Sequence, residues 1–394
     1  MFHLLLVIIY ISFISLGLPD GLLGAAWPTM GPELGAPISY AGIIAMVISV
    51  GTICSSLLSD RLTYRWGTGK VTAISVAMTA VALLGFSFSD SFWQLCLWSI
   101  PYGFGAGSVD ASLNNYVALH YTSRHMSWLH CMWGVGAAVG PYIMGFILSG
   151  GGHWSRGYLS VGVIQIILAA GLILSLPMWK ERRNCQENGQ IKEKPLKMKE
   201  ILQISGAKEV MITFFGYCSL EQTAALWASS YLALYKGVEE ERAAFFASMF
   251  FIGITVGRAL NGFLTMKFTD SQLIRMGQAI ILGGIIVMFL PMGEVVSLVG
   301  LILIGFGCAP IYPCVIHSTP ELFGEEKSQA IIGVQMACAY VGCCVTPALF
   351  GVIANHINVA LMPVYLLVIL VLMYTMYEKM LMEVKKPMFK KGEN

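Results

Sequence analysis

Four ionisable side chains stand inside long apolar runs of the sequence: Asp20, Asp110, Glu221 and Arg258. A charge placed in hydrocarbon costs about 2.5–3.5 kcal/mol on membrane-insertion scales, and more by other measures. Carboxylates in such surroundings bind and release protons or hold a polar solute, whereas an arginine pairs with an acid. These four residues are therefore the first candidates for chemistry.

Asp20 lies in the segment LGLPDGLLGAAWP, between Pro19 and Gly21. Because proline removes a backbone donor, a helix through this segment is expected to unwind near Asp20. A carboxylate at an unwound point beside a cavity can change its protonation state at low cost. Proton or substrate coupling is the functional hypothesis, and a helix cap at the break is the structural alternative.

Asp110 lies in the segment GFGAGSVDASLNNYVALH. Asn114 follows one helical turn later on the same face, and Asn115 lies beside it. This pattern predicts either a proton-carrying carboxylate with amide neighbours or a buried hydrogen-bond cluster with a purely structural role.

Glu221 and Gln222 lie in SLEQTAALW, where both can contact a substrate or ion, but no basic residue nearby in the sequence identifies a partner for the acid. Arg258 lies in GRALNG, near the expected cytoplasmic end of its apolar run. For Arg258 we expect a gating role that locks two halves of the molecule, or a side chain that extends to the membrane interface.

The amino-acid composition indicates what kind of structural element carries these residues. Of the 394 residues, 56% are hydrophobic and 12% are charged, and the net charge is +2. An average soluble domain is about 25% charged, so this composition argues against a soluble enzyme, a nucleic-acid binder and a disordered scaffold. Apolar runs of about 20 residues, enough to cross a bilayer, fall near residues 4–29, 38–58, 71–88, 92–118, 128–149, 158–178, 208–234, 243–265, 275–291, 295–317, 328–351 and 358–377.

The distribution of basic residues predicts the orientation of these twelve spans. With the N-terminus in the cytoplasm, 20 of the 24 Lys and Arg fall on the cytoplasmic side and 3 on the other. We therefore expect a multi-pass protein of the cell membrane, in contact with the lipid bilayer, with both termini in the cytoplasm.

The two sets of six spans resemble each other at an offset of about 200 residues. The triplet Gly103-Phe104-Gly105 in span 4 recurs as 305–307 in span 10. Pro141 and Pro347 end matching small-residue stretches in spans 5 and 11. The hydrophilic stretch after residue 178 separates the halves.

Two parallel six-span halves joined by a basic loop resemble the major facilitator superfamily. The loop SDRLTYRWGTGK adds to this, because Asp60, Arg61 and Arg65 resemble the Asp-Arg loop signature of that superfamily, although its leading glycine is missing. The resemblance implies an all-α membrane protein with bundles at 1–178 and 208–378, a linker at 179–207 and a tail at 379–394. It also implies conformational gating by the loop residues and by Arg258.

Spans 1, 4 and 5 are similar to the fucose:proton symporter family. That family has an acid beside a break in span 1 and another in span 4, and Asp20 and Asp110 fall at these places, although the span-4 acid is typically Glu. The resemblance implies that both acids bind sugar or couple protons, and that His130, ahead of a glycine-rich stretch in span 5, contacts sugar.

A sugar needs side chains that both donate and accept hydrogen bonds, and a flat apolar surface for its ring. The resemblance implies that spans 1, 4, 7 and 10 line the path, helped by spans 2, 5, 8 and 11. Candidates in these spans are Asn114, Asn115, Gln222, Asn261 and Gln335, with Trp27, Trp133, Trp227 and Tyr340 as aromatic surfaces. For the aromatic residues the alternative is an anchor at the membrane interface.

The sequence has no HExxH, GxSxG or Walker motif, so we expect no enzyme activity, no cofactor, no metal site and no ATP-driven step. The predicted function is proton-coupled import of a sugar or polyol by a monomeric transporter. The alternatives are sodium coupling, a multidrug or metabolite antiporter of the same fold, and a membrane enzyme or receptor.

Overall fold

The computed structural model describes residues 2–37, 40–187, 195–290 and 292–391, and within these ranges the chain is helical without β-strands. The helices before residue 188 are α1 (Phe2–Gly17), α2 (Leu22–Glu33), α3 (Tyr40–Trp66), α4 (Thr68–Ser87), α5 (Phe92–His120), α6 (Ser123–Ser149) and α7 (Trp154–Glu187). The later helices are α8 (Met198–Ile201), α9 (Ala207–Leu234), α10 (Glu240–Leu264), α11 (Asp270–Phe289), α12 (Glu294–Cys308), α13 (Ile311–Phe323), α14 (Glu325–His356) and α15 (Met362–Lys391).

The twelve predicted spans are confirmed as helices. In the described residues, nine helical stretches are long and apolar enough to cross a membrane, with α1 and α2 counted as one stretch and α12 and α13 as another. The three remaining spans are α5, α9 and α10, and α10 contains a shorter apolar stretch at Met249–Leu264. These three helices carry Asp110, Glu221 and Arg258.

Span 1 breaks between α1 and α2, as the Pro19 and Gly21 pair predicts. Around the break the backbone uses three-residue hydrogen bonds, from Asp20 N to the Gly17 oxygen and from Leu22 N to the Pro19 oxygen, both 3.1 Å. Span 10 also divides, at Pro310 between α12 and α13, which the sequence analysis did not predict.

The internal repeat is confirmed in the packing of the helices. A Cβ added to Gly103 of α5 would stand 2.2 Å from the Ile48 carbonyl oxygen of α3, and one added to Gly305 of α12 would stand 2.2 Å from the Phe250 oxygen of α10. Each position in the second contact lies 202 residues after its counterpart in the first. Glycine is required at both places because any side chain would push the helices apart.

By its internal packing the chain divides into two compact units. One comprises Met1–Tyr116 and Leu129–Leu196, and the other comprises Val117–Trp128 and Lys197–Asn394. Residues 117–128, the docking segment, join α5 to α6 and pack with the second unit, although the domain prediction places them in the first bundle. Within the predicted linker and tail, α7 continues to Glu187 and α15 to Lys391. Residues 188–194 and 392–394 lie outside the described part.

Candidate functional site

Asp20 stands at the break between α1 and α2, where two side chains donate hydrogen bonds to its carboxylate. The indole Nε1 of Trp133 on α6 donates to Oδ2 at 2.9 Å. The hydroxyl of Tyr102 on α5 donates to Oδ1 at 3.5 Å. Asp20 is exposed whereas Tyr102 is only 7% exposed, so the carboxylate stays accessible while its support is buried.

The glycine-rich stretch of α6 brings Trp133 to Asp20. A Cβ on Gly140 would lie 1.8 Å from the Leu18 carbonyl oxygen, and one on Gly17 would lie 2.2 Å from the Trp133 carbonyl oxygen. The backbone at the end of α1 and the backbone of α6 are therefore in direct contact at two positions, Gly17 and Gly140. This close approach places the indole within hydrogen-bond reach of the break.

Asp110, Asn114 and His130 form a connected hydrogen-bond chain. Asn114 Nδ2 donates to Asp110 Oδ1 at 2.7 Å, and Asn114 Oδ1 lies 3.0 Å from His130 Nε2. These side chains are 5%, 0% and 5% exposed, respectively. Because Asn114 uses its amide nitrogen on the acid, its oxygen accepts from the histidine, which fixes a proton on Nε2. The phenyl ring of Phe13 meets the His130 ring edge-on with centroids 5.4 Å apart.

Asp20 and Asp110 both belong to the first unit, and each carboxylate lies within electrostatic range of the other. Two negative charges in this environment repel each other, and the repulsion is relieved when one acid binds a proton or a cation.

In the second unit Glu221 pairs with Arg258, a partner that the sequence analysis did not identify. Arg258 Nη2 lies 3.6 Å from Glu221 Oε1, with side-chain exposures of 4% and 19%. Arg258 is buried inside its unit instead of extending to an interface. The ion pair balances both charges and leaves Glu221 the more accessible member.

Three other candidates are held inside their own units. Trp27 is 5% exposed in the apolar core of the first unit. Trp227 Nε1 donates to the Pro347 oxygen at 2.9 Å. Gln335, fully buried, bonds with the Thr319 hydroxyl at 3.3 Å. Each of these polar groups already has a protein partner or an apolar environment.

The remaining lining candidates differ in exposure. Gln222 is exposed, Tyr340 is half-buried and Asn115 is buried. Gln222 is therefore the most accessible amide of the set.

Asn261 contacts the docking segment within the second unit. Its Nδ2 donates to Ser127 Oγ at 2.7 Å. The next residue, Gly262, has no room for a side chain, since a Cβ there would stand 2.1 Å from Trp128 Nε1. The docking segment is thus fitted against α10.

A carboxylate that the sequence analysis overlooked also holds the docking segment. Asp270, the first residue of α11, accepts hydrogen bonds from Ser123 Oγ and, at 2.6 Å, from His317 Nδ1. The other ring nitrogen of His317 lies 3.2 Å from the Tyr121 carbonyl oxygen. Asp270 stands near a span end in the sequence, which is why the sequence analysis did not single it out.

The sequence analysis placed Asp60, Arg61 and Arg65 in a loop, but all three lie on α3, which continues to Trp66. Asp60 Oδ2 accepts from the Leu196 N–H at 3.3 Å. Arg61 and Arg65 are exposed and line an open groove together with Tyr64 and Pro195. Asp60 therefore anchors a residue of the predicted linker to α3. In the described residues, no group of three or more His, Cys, Asp or Glu side chains could hold a metal ion.

The family model for the Major Facilitator Superfamily matches residues 9–347 of this chain. The chain belongs to the major facilitator superfamily. Its fold is the all-α fold of these transporters, and it is a multi-pass membrane protein and not an enzyme.

Individual proteins resemble the chain at low sequence identity. Bypass of stop codon protein 6 of Saccharomyces cerevisiae is 23% identical, over 94% of this chain and 81% of the relative. The glucose/mannose transporter GlcP of Bacillus subtilis is 19% identical, over 89% and 88%. A crystal structure of the E. coli fucose:proton symporter FucP superposes with a TM-score of 0.73 at 13% identity, covering 95% of this chain and 98% of that one.

Proposed function

We propose that this superfamily member imports a sugar or related polyol together with a proton by alternating access. The observation that carries the proposal is the exposed Asp20 carboxylate, held by Trp133 and Tyr102, within electrostatic range of the buried chain from Asp110 to His130. The sugar transporters among its relatives and structural neighbours support the choice of substrate class.

The Asp20 site offers what a sugar requires. A carboxylate accepts two hydroxyl groups, and an indole presents a flat apolar face to the CH groups of a ring. The indole N–H that holds Asp20 keeps the ring of Trp133 beside the acid. A hydroxyl-rich, uncharged ligand fits this combination better than a large apolar drug.

The acid pair supplies the coupling. When a proton neutralises one acid, the repulsion between Asp20 and Asp110 disappears and the remaining carboxylate is free to accept sugar hydroxyls. Sugar binding and proton binding then favour each other, which is the thermodynamic requirement for symport. Sodium would neutralise the pair in the same way, so the test includes a sodium gradient.

Within the second unit, Glu221 and Gln222 contact the substrate or ion in this proposal, and Arg258 holds the Glu221 carboxylate in place. Asp60, Arg61, Arg65 and Arg258 serve conformational gating in this proposal. The proposed location is the cell membrane, with both termini in the cytoplasm and one chain as the transporting unit.

The test is uptake of radiolabelled monosaccharides into proteoliposomes under an imposed pH gradient, an imposed sodium gradient or neither. The pH gradient is expected to drive accumulation. Asp20→Asn and Asp110→Asn are expected to abolish accumulation, because neither amide can exchange a proton. Asp90→Asn, the same change at an exposed acid outside the spans, is the matched control and should transport normally.

Two results would overturn parts of the proposal. If the sodium gradient alone drives accumulation, the coupling ion is sodium and not the proton. Full gradient-driven accumulation by Asp110→Asn would remove that acid from the mechanism.

A further inference from the structure

Gln165 on α7 forms two hydrogen bonds with a single residue of α1, one through the nitrogen and one through the oxygen of its side-chain amide. Its Nε2 donates to the Ser15 carbonyl oxygen, and its Oε1 accepts from Ser15 Oγ at 2.8 Å. The two side chains are 1% and 3% exposed. Two hydrogen bonds to one residue fix both the position and the rotation of the end of α1.

The carbonyl that Gln165 binds is one of those that the helix break leaves without its usual backbone donor. In a continuous helix the Ser15 oxygen would accept the N–H of residue 19, four positions later. Residue 19 is proline and has no N–H, so the oxygen needs another donor in a buried place. Gln165 supplies that donor from a neighbouring span.

The same group of side chains reaches the candidate site. Ser15, Pro19, Tyr102 and Gln165 line one small cavity of about 10 Å³, room for about one water molecule. Tyr102, in turn, donates to the Asp20 carboxylate. Gln165 therefore lines the same cavity as Pro19, which is at the break, and Tyr102, which donates to Asp20.

We propose that Gln165 is a positioning residue for Asp20, which keeps the α1–α2 break in the geometry that aligns Trp133 and Tyr102 on the carboxylate. This inference rests on the function proposed above for Asp20. Without Gln165 the break rearranges to satisfy the Ser15 oxygen, and the donors on Asp20 lose alignment. The charged carboxylate then loses stabilisation relative to its protonated form.

The experiment follows labelling of individual acids by a carbodiimide, which reacts with protonated carboxyls, in the full chain in lipid nanodiscs as a function of pH. Mass spectrometry reads Asp20 and Glu221 separately. Gln165→Met keeps the side-chain length and removes both hydrogen bonds. Labelling of Asp20 near neutral pH is expected to become about three- to tenfold faster, as for the loss of one hydrogen bond, while labelling of Glu221 stays unchanged.

Gln278→Met is the matched control, because Gln278 is also a buried glutamine of a span, at 4% exposure, but lies on α11. It should leave the labelling of both acids unchanged. Ser15→Ala removes only the Oγ bond and should give a smaller acceleration at Asp20, so it tests the proposal if Gln165→Met does not fold. Unchanged labelling of Asp20 in a folded Gln165→Met, or in Ser15→Ala if only that variant folds, overturns the inference.

Labelling requires no substrate, so the outcome is separate from that of the transport proposal. If the wild type accumulates no sugar under a pH gradient but Gln165→Met still accelerates Asp20 labelling, the transport proposal fails and the positioning role stands. If the wild type accumulates sugar and the labelling is unchanged, only the positioning role fails.

Discussion

At the scale of single residues, the indole of Trp133 ties the carboxylate of Asp20 to α6. Trp133→Phe keeps an aromatic ring but removes the donor. Hydrogen bonds to charged groups contribute about 1.5–3 kcal/mol, so we expect the apparent affinity for sugar to fall by about tenfold or more. Concentration-dependent uptake in proteoliposomes measures this change.

Trp227→Phe is the control for that substitution. Trp227 donates to the Pro347 carbonyl and not to an acid, so its loss is expected to lower stability with little effect on affinity. Wild-type affinity in Trp133→Phe would show that its hydrogen bond to Asp20 has no part in binding.

The pair of Glu221 and Arg258 gives a second prediction at this scale. Arg258→Met leaves an acid without its countercharge, and breaking a buried pair costs about 3–5 kcal/mol. Since Glu221 keeps 19% exposure, we expect a loss near the lower end, about 3 kcal/mol. The melting temperature of the purified protein should fall accordingly.

The double variant Arg258→Met/Glu221→Gln removes both charges, and we expect it to recover at least about half of the lost stability. A double variant that is no more stable than Arg258→Met would mean that the two side chains do not depend on each other.

At the scale of helices, the contact between α1 and α6 allows a comparison within one helix. Gly140 lies against the Leu18 carbonyl oxygen, whereas Gly145, also on α6, has open space where its side chain would be. Gly140→Val is expected to separate the helices, move Trp133 from Asp20 and abolish sugar uptake. Gly145→Val makes the same change in helix propensity without a clash and should transport normally, as measured in the same proteoliposomes.

If Gly140→Val transports as well as Gly145→Val does, and both transport normally, the assigned role of the α1–α6 contact is contradicted. Similar loss in both would point to helix propensity or membrane insertion as the cause, and not to the break.

At the scale of the whole molecule, α5 and α6 each belong partly to both compact units, because the docking segment contains the end of α5 and the start of α6. Asp270 holds that segment by accepting from Ser123 and His317. Asp270→Ala is expected to speed hydrogen exchange of the amides of residues 117–128 by about tenfold, with residues 95–110 of α5 unchanged. Hydrogen-exchange mass spectrometry measures both regions.

Asp90→Ala removes an exposed acid elsewhere and should change neither region. Gly262→Leu provides a second route, since it displaces Trp128 without altering the start of α11. If both Asp270→Ala and Gly262→Leu leave exchange of the docking segment at the wild-type rate, these contacts do not hold it.

Local patterns in the sequence predicted most of the architecture. Apolar length predicted the spans, Pro19 with Gly21 predicted the break in span 1, and helical spacing predicted that Asn114 meets Asp110. In each case the partners are close in the chain, or the property belongs to one segment alone.

Contacts between distant helices were not predictable in this way. Three contacts depend on how helices are placed side by side. They are the ion pair of Glu221 with Arg258, the hydrogen bonds of Gln165 with Ser15, and the hydrogen bond of Asn261 with Ser127. A single sequence shows which residues are polar but not which helix faces them. Whether Asp20 and Asp110 bind sugar and protons stays a prediction.

The glycine contacts that recur 202 residues apart join the same helix pairs in both halves. The ionisable residues singled out inside the apolar runs nevertheless differ, with Asp20 and Asp110 in one half and Glu221 and Arg258 in the other. Backbone architecture and solute chemistry therefore occupy separate positions in this chain. A designer could exchange the ionisable side chains of either half and leave the glycine contacts that hold its helices together untouched.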